Sequence, residues 1–127
     1  MPCLQFNTSQ PIYKQIINDY KKLLIRKELK KGDKIMSQRE YAEMVSVNPN
    51  TVQRAYREME NMNLVETLRG QGTFISVSDE QLEEIKTEMA GDLINHFIGE
   101  MQSLGFGNKD IINIVQKQLS DREGGSF

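Results

Sequence analysis

One cysteine and one histidine are all that 127 residues supply of those two side chains. No internal disulfide can form, and no Cys, His and carboxylate cluster stands at metal-ligand spacing. Cys3, near the start, reads as a free thiol with no role, and His96, beside Phe97 in a helical stretch, reads as a packing or surface residue. No apolar run approaches the roughly 20 residues that span a bilayer, and the first residues lack the basic-then-apolar layout of a secretory leader. A cytoplasmic chain with no membrane role is the expectation. Gly70-Gln71-Gly72 is not followed by the Lys-Ser/Thr of a phosphate-binding loop and has no strand-to-helix setting. Neither an enzyme nor a bound cofactor is expected. What is present, 38% hydrophobic and 27% charged residues, suits an ordinary folded domain.

A net charge of −2 conceals a division. Residues 1–77 carry 12 Lys and Arg against 8 Asp and Glu, whereas residues 78–127 carry 4 against 10. A basic module followed by an acidic tail fits a nucleic-acid partner for the first part only. Lys21, Lys22, Arg26, Lys27, Lys30, Lys31 and Lys34 gather along the first helix and its exit, either as part of that basic footprint or as a solvated face.

The first helix is expected from about Pro11 to Leu29, with Ile12, Ile16, Tyr20, Leu23 and Leu24 as its apolar stripe and Gly32 in the stop region. Ser37 with Glu40 three residues on has the form of a capping box, and Tyr41, Ala42 and Val45 give the following helix an apolar face. Asn48-Pro49 marks another start, because Asn caps well and proline's missing N–H is harmless at the first helical position. Only Val45-Ser46-Val47 separates the two, so they must cross steeply. From Asn48 to Met62, Val52, Ala55, Tyr56 and Met59 fall on one side, while Asn50, Gln53, Arg54, Arg57 and Asn61 fall on the other. Asn and Gln can bond adenine bidentately and Arg can do so with guanine, so the free face is equipped to read bases.

Leu64–Leu68 and Thr73–Val77 are β-prone runs around Arg69-Gly70-Gln71-Gly72. The glycines allow positive φ and a close approach of backbone to phosphate, and Arg69 adds charge. Helix, turn, helix and hairpin in that order predict a winged helix-turn-helix presenting its second helix to the major groove.

Pro11-Ile-Tyr-Lys-Gln, Lys31-Gly-Asp-Lys-Ile, Ser37-Gln-Arg-Glu, Val47-Asn-Pro-Asn-Thr-Val-Gln-Arg-Ala-Tyr and Gly70-Gln-Gly-Thr-Phe, in this order, resemble the DNA-binding domain of the GntR family of bacterial transcriptional regulators over residues 10–77. The short remainder, together with the Asn-Pro-Asn-Thr-Val string, is similar to the YtrA-like subfamily. That resemblance implies a tail of two dimerising helices and control of transporter operons. Carried over by position, it implies DNA contacts at Arg39, at Asn50, Thr51 and Gln53, and at Arg69 and Gly70. Ser37, Asn48, Arg54, Arg57, Gln71 and Gly72 complete the expected DNA-binding surface. Two positions depart from the family pattern: Met36 stands where a proline usually precedes the serine, and Asn48-Pro49 stands where Ser-Arg often begins the reading helix. Proline has no donor, which shifts specificity toward Asn50, Gln53 and Arg54.

Beyond Val77, Ser78 with Gln81 begins another helix, expected to reach Ser103 before Gly105 and Gly107. Leu82, Ile85, Met89, Leu93, Phe97, Met101 and Leu104 recur along it at threes and fours among acidic residues. At about 1.5 Å per residue it extends near 40 Å, too long for the winged module to cover. A further helix from Asn108 to about Leu119 offers Ile111, Ile112, Val115 and Leu119, and Arg122–Phe127 reads as a frayed end. Two helices cannot enclose a core, so the expectation is pairing with the same helices of a second copy; the alternative is that both fold back on their own module.

The fold expected is therefore mainly α with a small β-hairpin: a winged helix-turn-helix over 1–77 and a helical dimerisation segment over 78–127. Its expected work is sequence-specific regulation of transcription, as a homodimeric repressor on a palindromic double-stranded operator. The alternative from the residues is a winged-helix adaptor that contacts another protein, for which exposed apolar anchors would be expected in place of Asn50, Gln53, Arg54 and Arg69. Any small-molecule effector would have to bind at the dimer interface or between tail and module.

Overall fold

Ser37 starts α2 (Gln38–Val45) with both halves of its capping box formed. Its Oγ accepts from the Glu40 N–H at 3.1 Å, and Glu40 Oε1 accepts from the Ser37 N–H at 3.2 Å. Asn48 caps α3 (Pro49–Asn61) by accepting from the Asn50 N–H at 2.8 Å, with Pro49 at the first helical position. These local bonds satisfy amides that a helix start leaves without partners. In the computed structural model, residue 6 and residues 9–126 are described; Cys3 and Phe127 lie outside them. The remaining elements are α1 (Ile12–Ile25), β1 (Lys34–Ile35), β2 (Val65–Leu68), β3 (Gly72–Ile75), α4 (Asp79–Ser103) and α5 (Asn108–Ser126).

Helix α1 stops four residues before the expected Leu29. Lys27 takes φ 65°, the Lys27 N–H bonds Leu24 O, and the Glu28 N–H bonds Leu23 O. This is a Schellman stop, usually made with glycine in the left-handed position. Asn63 at φ 61° ends α3 in the same way, its N–H on Glu60 O and that of Leu64 on Met59 O. Ser46, at φ 55°, turns the chain sharply between α2 and α3.

The sheet has the order β1-β3-β2, antiparallel throughout. Val65 pairs with Ile75 and Leu68 with Gly72, so the expected hairpin forms. Strand β1 was not expected: Lys34 pairs with Phe74 and Ile35 with Thr73, and the N–H of Ile75 bonds Asp33 O. Two residues carry no periodicity, and only their pairing with β3 makes them a strand.

The chain divides into two compact units, 1–86 and 87–127. In the first, Ile16, Ile17, Tyr20, Leu23 and Leu24 of α1 meet Tyr41 and Ala42 of α2, and Val52, Ala55, Tyr56 and Met59 of α3. Leu64, Val65, Ile75 and Val77 close the core from the sheet side. Leu82 is buried in the same core and Ile85 packs against it. These two were expected in a dimerising stripe; the first turns of α4 instead belong to the winged module, and the division falls at residue 86 in place of 77. The Ser78 hydroxyl accepts from the Gln81 N–H, and Gln81 Nε2 donates to Met62 O, satisfying a carbonyl at the end of α3.

In the second unit, α4 ends at Ser103 and the chain turns at Gly105 (φ 93°), with the Phe106 N–H on Met101 O. Helix α5 continues through Ser126, so residues 122–126 are helical where a frayed end was expected. Ile111 is buried and Met89, Met101 and Val115 are half-buried. Leu93, Phe97, Leu104, Ile112 and Leu119 are exposed, Leu93 and Leu104 by 70% and 72%.

Candidate nucleic-acid interface

Helix α3 presents Asn50, Gln53, Arg54 and Arg57 to solvent while its opposite face is fully buried. Two surface depressions flank the free face. One, toward α2, is lined by Gln38, Arg39, Ala42, Glu43, Val47, Pro49, Asn50 and Gln53. The other, toward the start of α1, is lined by Pro11, Ile12, Tyr13, Lys14, Asn50, Thr51 and Arg54. Asn50 lies between them, Gln53 borders the first and Arg54 the second. The expected residues Arg39, Asn50, Thr51, Gln53 and Arg54 are thus brought together around the start of α3, and Arg57 is exposed a turn further on.

Ser37 and Asn48 serve as helix caps, their side-chain oxygens taken by Glu40 and Asn50. The backbone N–H and then the hydroxyl of Ser37 hold the Glu40 carboxyl below its ordinary range. Ser37 and Asn48 set where α2 and α3 begin.

Arg54 is not a free reader. Its guanidinium carbon lies 3.9 Å from the centroid of the Tyr13 ring, and Nη2 donates to the Tyr13 hydroxyl at 3.3 Å. Tyr13 was missed in the sequence as part of this surface. The pair is separated by 41 residues, and no local pattern signals such a contact.

The wing tip is exposed at Arg69, Gly70 and Gln71. The Gln71 N–H closes a turn onto Leu68 O at 2.9 Å, with Gly70 at φ 78°. Gly72, at φ 125°, is crossed by the Lys34 side chain; a Cβ there would lie 2.6 Å from Lys34 Cε. Position 72 therefore needs glycine for its backbone conformation, while the flexible end of Lys34 could move aside for a side chain.

The cations at the exit of α1 have a different setting. Lys27 shares one depression with Asp79, Glu83 and Lys86, and Lys27, Lys30 and Lys31 share another with Asp79. They face the acidic start of α4, while Lys14 is the α1 cation bordering the reading face. Among the described residues no group of three His, Cys, Asp or Glu could hold a metal ion, and no helix is long and apolar enough to cross a membrane.

Comparison with known families matches residues 12–75 to the bacterial regulatory proteins of the gntR family. The chain is similar to the HTH-type transcriptional regulator YhcF of Bacillus subtilis (strain 168), 44% identical over 88% of this chain and 93% of YhcF. It is also similar to the HTH-type transcriptional repressor YtrA of the same organism, 37% identical over 93% of this chain and 92% of YtrA. Among solved structures, a GntR family transcriptional regulator from Listeria monocytogenes is 38% identical, with a TM-score of 0.79, over 88% of this chain and 98% of that one. The chain belongs to the GntR family and is a DNA-binding transcriptional regulator.

Proposed function

We propose that the chain is a homodimeric, sequence-specific repressor that binds a palindromic operator in the cytoplasm. The observation that carries this reading is the free face of α3, where Asn50 and Gln53 stand exposed at the start of a capped helix; the Arg69 wing tip is exposed as well. Asn and Gln offer the paired donor and acceptor that match an adenine edge, and a glycine turn bearing Arg matches a phosphate. An adaptor surface would place large apolar anchors there; the groove toward α2 carries Gln38, Asn50, Gln53, Arg39 and Glu43 around the small apolar Ala42, Val47 and Pro49.

Dimerisation is supported by Leu93, Phe97, Leu104, Ile112 and Leu119, large apolar side chains exposed on α4 and α5. Met89, Met101 and Val115 on the same helices are half-buried, and Ile111 is already buried. A second copy would cover it symmetrically, and a two-fold dimer would place two α3 helices in successive major grooves, with half-sites about 34 Å apart. Repression would follow from occupying promoter DNA; the relative YtrA is named a transcriptional repressor. A transporter operon as the target follows from the subfamily resemblance. Footprinting of the full chain on a sequence recovered from a random pool tests the reading: protection of two symmetric blocks is expected, and one unrepeated block would count against it.

A further inference from the structure

We propose that Tyr13 is a positioning residue for DNA binding. It holds Arg54 at the α1 edge of the reading face, where the guanidinium grips a backbone phosphate and does not read a base. The inference rests on the DNA-binding function and assigns Arg54 a different task within it.

Stack and hydrogen bond together fix the guanidinium over Tyr13: the carbon sits 3.9 Å from the ring centroid and Nη2 lies 3.3 Å from the phenol oxygen. A guanidinium carries five N–H donors, so one bond to the phenol leaves the others available. What surrounds it decides their target. The depression that Arg54 borders contains a second cation, Lys14, and no carboxylate among its lining residues. The depression that Gln53 borders contains one cation, Arg39, offset by the carboxylate of Glu43, together with the donorless Pro49. Asn50 lies on both, so the amides occupy the middle and α2 side of the face while two cations share its α1 edge. Phosphates run along the edges of a groove and bases lie on its floor, which gives the paired cations the backbone and the amides the bases.

Tyr13 adds preorganisation. An exposed arginine surrenders rotamer freedom when it grips a phosphate; one already stacked surrenders less. Removing the ring therefore weakens DNA binding only through Arg54.

The test is a double-mutant cycle on the full chain, with the tightest duplex recovered by selection from a random pool and its single-base variants as probes, across a salt series. Arg54→Ala should weaken every duplex by about tenfold, leave the order of base preference unchanged and lower the salt slope by roughly one. Tyr13→Leu should weaken binding by about two- to fivefold in the parent and by nothing further in the Arg54→Ala background. Tyr13→Phe keeps the ring and should restore most of the loss. Multiplying effects of Tyr13→Leu and Arg54→Ala would overturn the positioning role. Should Tyr13→Leu melt early, the exposed Arg54→Ala variant decides the matter alone, because a lost preference at one base pair would make Arg54 a base reader. A parent chain that retains no duplex would overturn this inference and the DNA-binding reading together.

Discussion

The hydroxyl oxygens of Tyr20 on α1 and Tyr56 on α3 lie 2.9 Å apart in the core, and that of Tyr56 lies 2.8 Å from the carbonyl oxygen of Met36. Tyr56 donates to the carbonyl, so Tyr20 must donate to Tyr56. The chain of bonds ties α1 to the reading helix and to the segment that enters α2. With Tyr41, whose ring centroid lies 5.7 Å from that of Tyr20 and 6.2 Å from that of Tyr56, the three rings form the centre on which the helices rest.

Tyr56→Phe leaves the Met36 carbonyl and the Tyr20 hydroxyl without partners, and should cost about 1–3 kcal/mol. Tyr20→Phe leaves the bond to Met36 intact and should cost about 0.5–1.5 kcal/mol. Urea melts of both variants check the order. Burial, the largest cause, pushes all three phenols above the ordinary tyrosine range. Groups whose folded pKa is raised stabilise the fold below the unfolded value, near 10, and lose that contribution as pH rises beyond it. Alkaline melting should therefore begin above about pH 10, and substitution of Tyr20 by Phe should make it less steep.

Ser37→Ala removes the acceptor of the capping box and should cost about 1 kcal/mol, with weaker operator binding because α2, which packs against α3, begins less firmly. Glu40→Gln carries a pH signature. The Ser37 N–H and hydroxyl depress the folded pKa of Glu40, so its contribution is present above the ordinary glutamate range and is lost as pH falls through the lowered folded value. The variant should melt below the parent near neutrality and converge with it in acid; a constant gap at all pH values would count against the box.

Gln53→Ala should cost about 1–3 kcal/mol on the best operator and relax preference at one base position. Arg69→Ala should weaken all duplexes nearly equally and reduce the salt slope by roughly one. Binding of each variant to point-substituted duplexes separates reading from positioning. Lys27, Lys30 and Lys31, which border the acidic start of α4, should change that slope little.

Light scattering of the full chain at micromolar concentration should give twice 14.6 kDa. Leu93→Asp places a charge in the proposed apolar seam and should shift the mass toward one copy, with operator affinity falling alongside. A monomeric parent would remove the proposed dimer.

Legibility in the sequence followed range. Ser37 with Glu40, Asn48-Pro49 and Ser78 with Gln81 are caps formed within four residues, and all three starts appear where the sequence puts them. The apolar face of α3 was equally readable, since Val52, Ala55, Tyr56 and Met59 obey one period. The end of α1 was hidden because Lys27, not a glycine, takes the left-handed position. A stripe such as Leu82 to Leu104 reveals a face but not what covers it, so Leu82 and Ile85 could not be separated from Leu93 and Leu104. The candidate interface was readable wherever it rests on α3 and the wing. Its Tyr13–Arg54 contact was not, because only the packing of α1 against α3 creates it.

Selection of duplexes from a random pool by the full chain, followed by quantitative binding of the winners and of scrambled controls, tests the central claim most directly. The account predicts enrichment of a two-fold symmetric motif with half-sites one helical turn apart, bound at least about 10³-fold more tightly than scrambled DNA and losing preference at one position when Gln53 becomes Ala. Equal binding of winners and scrambled duplexes, or preferences untouched by Gln53→Ala and Asn50→Ala, would contradict it.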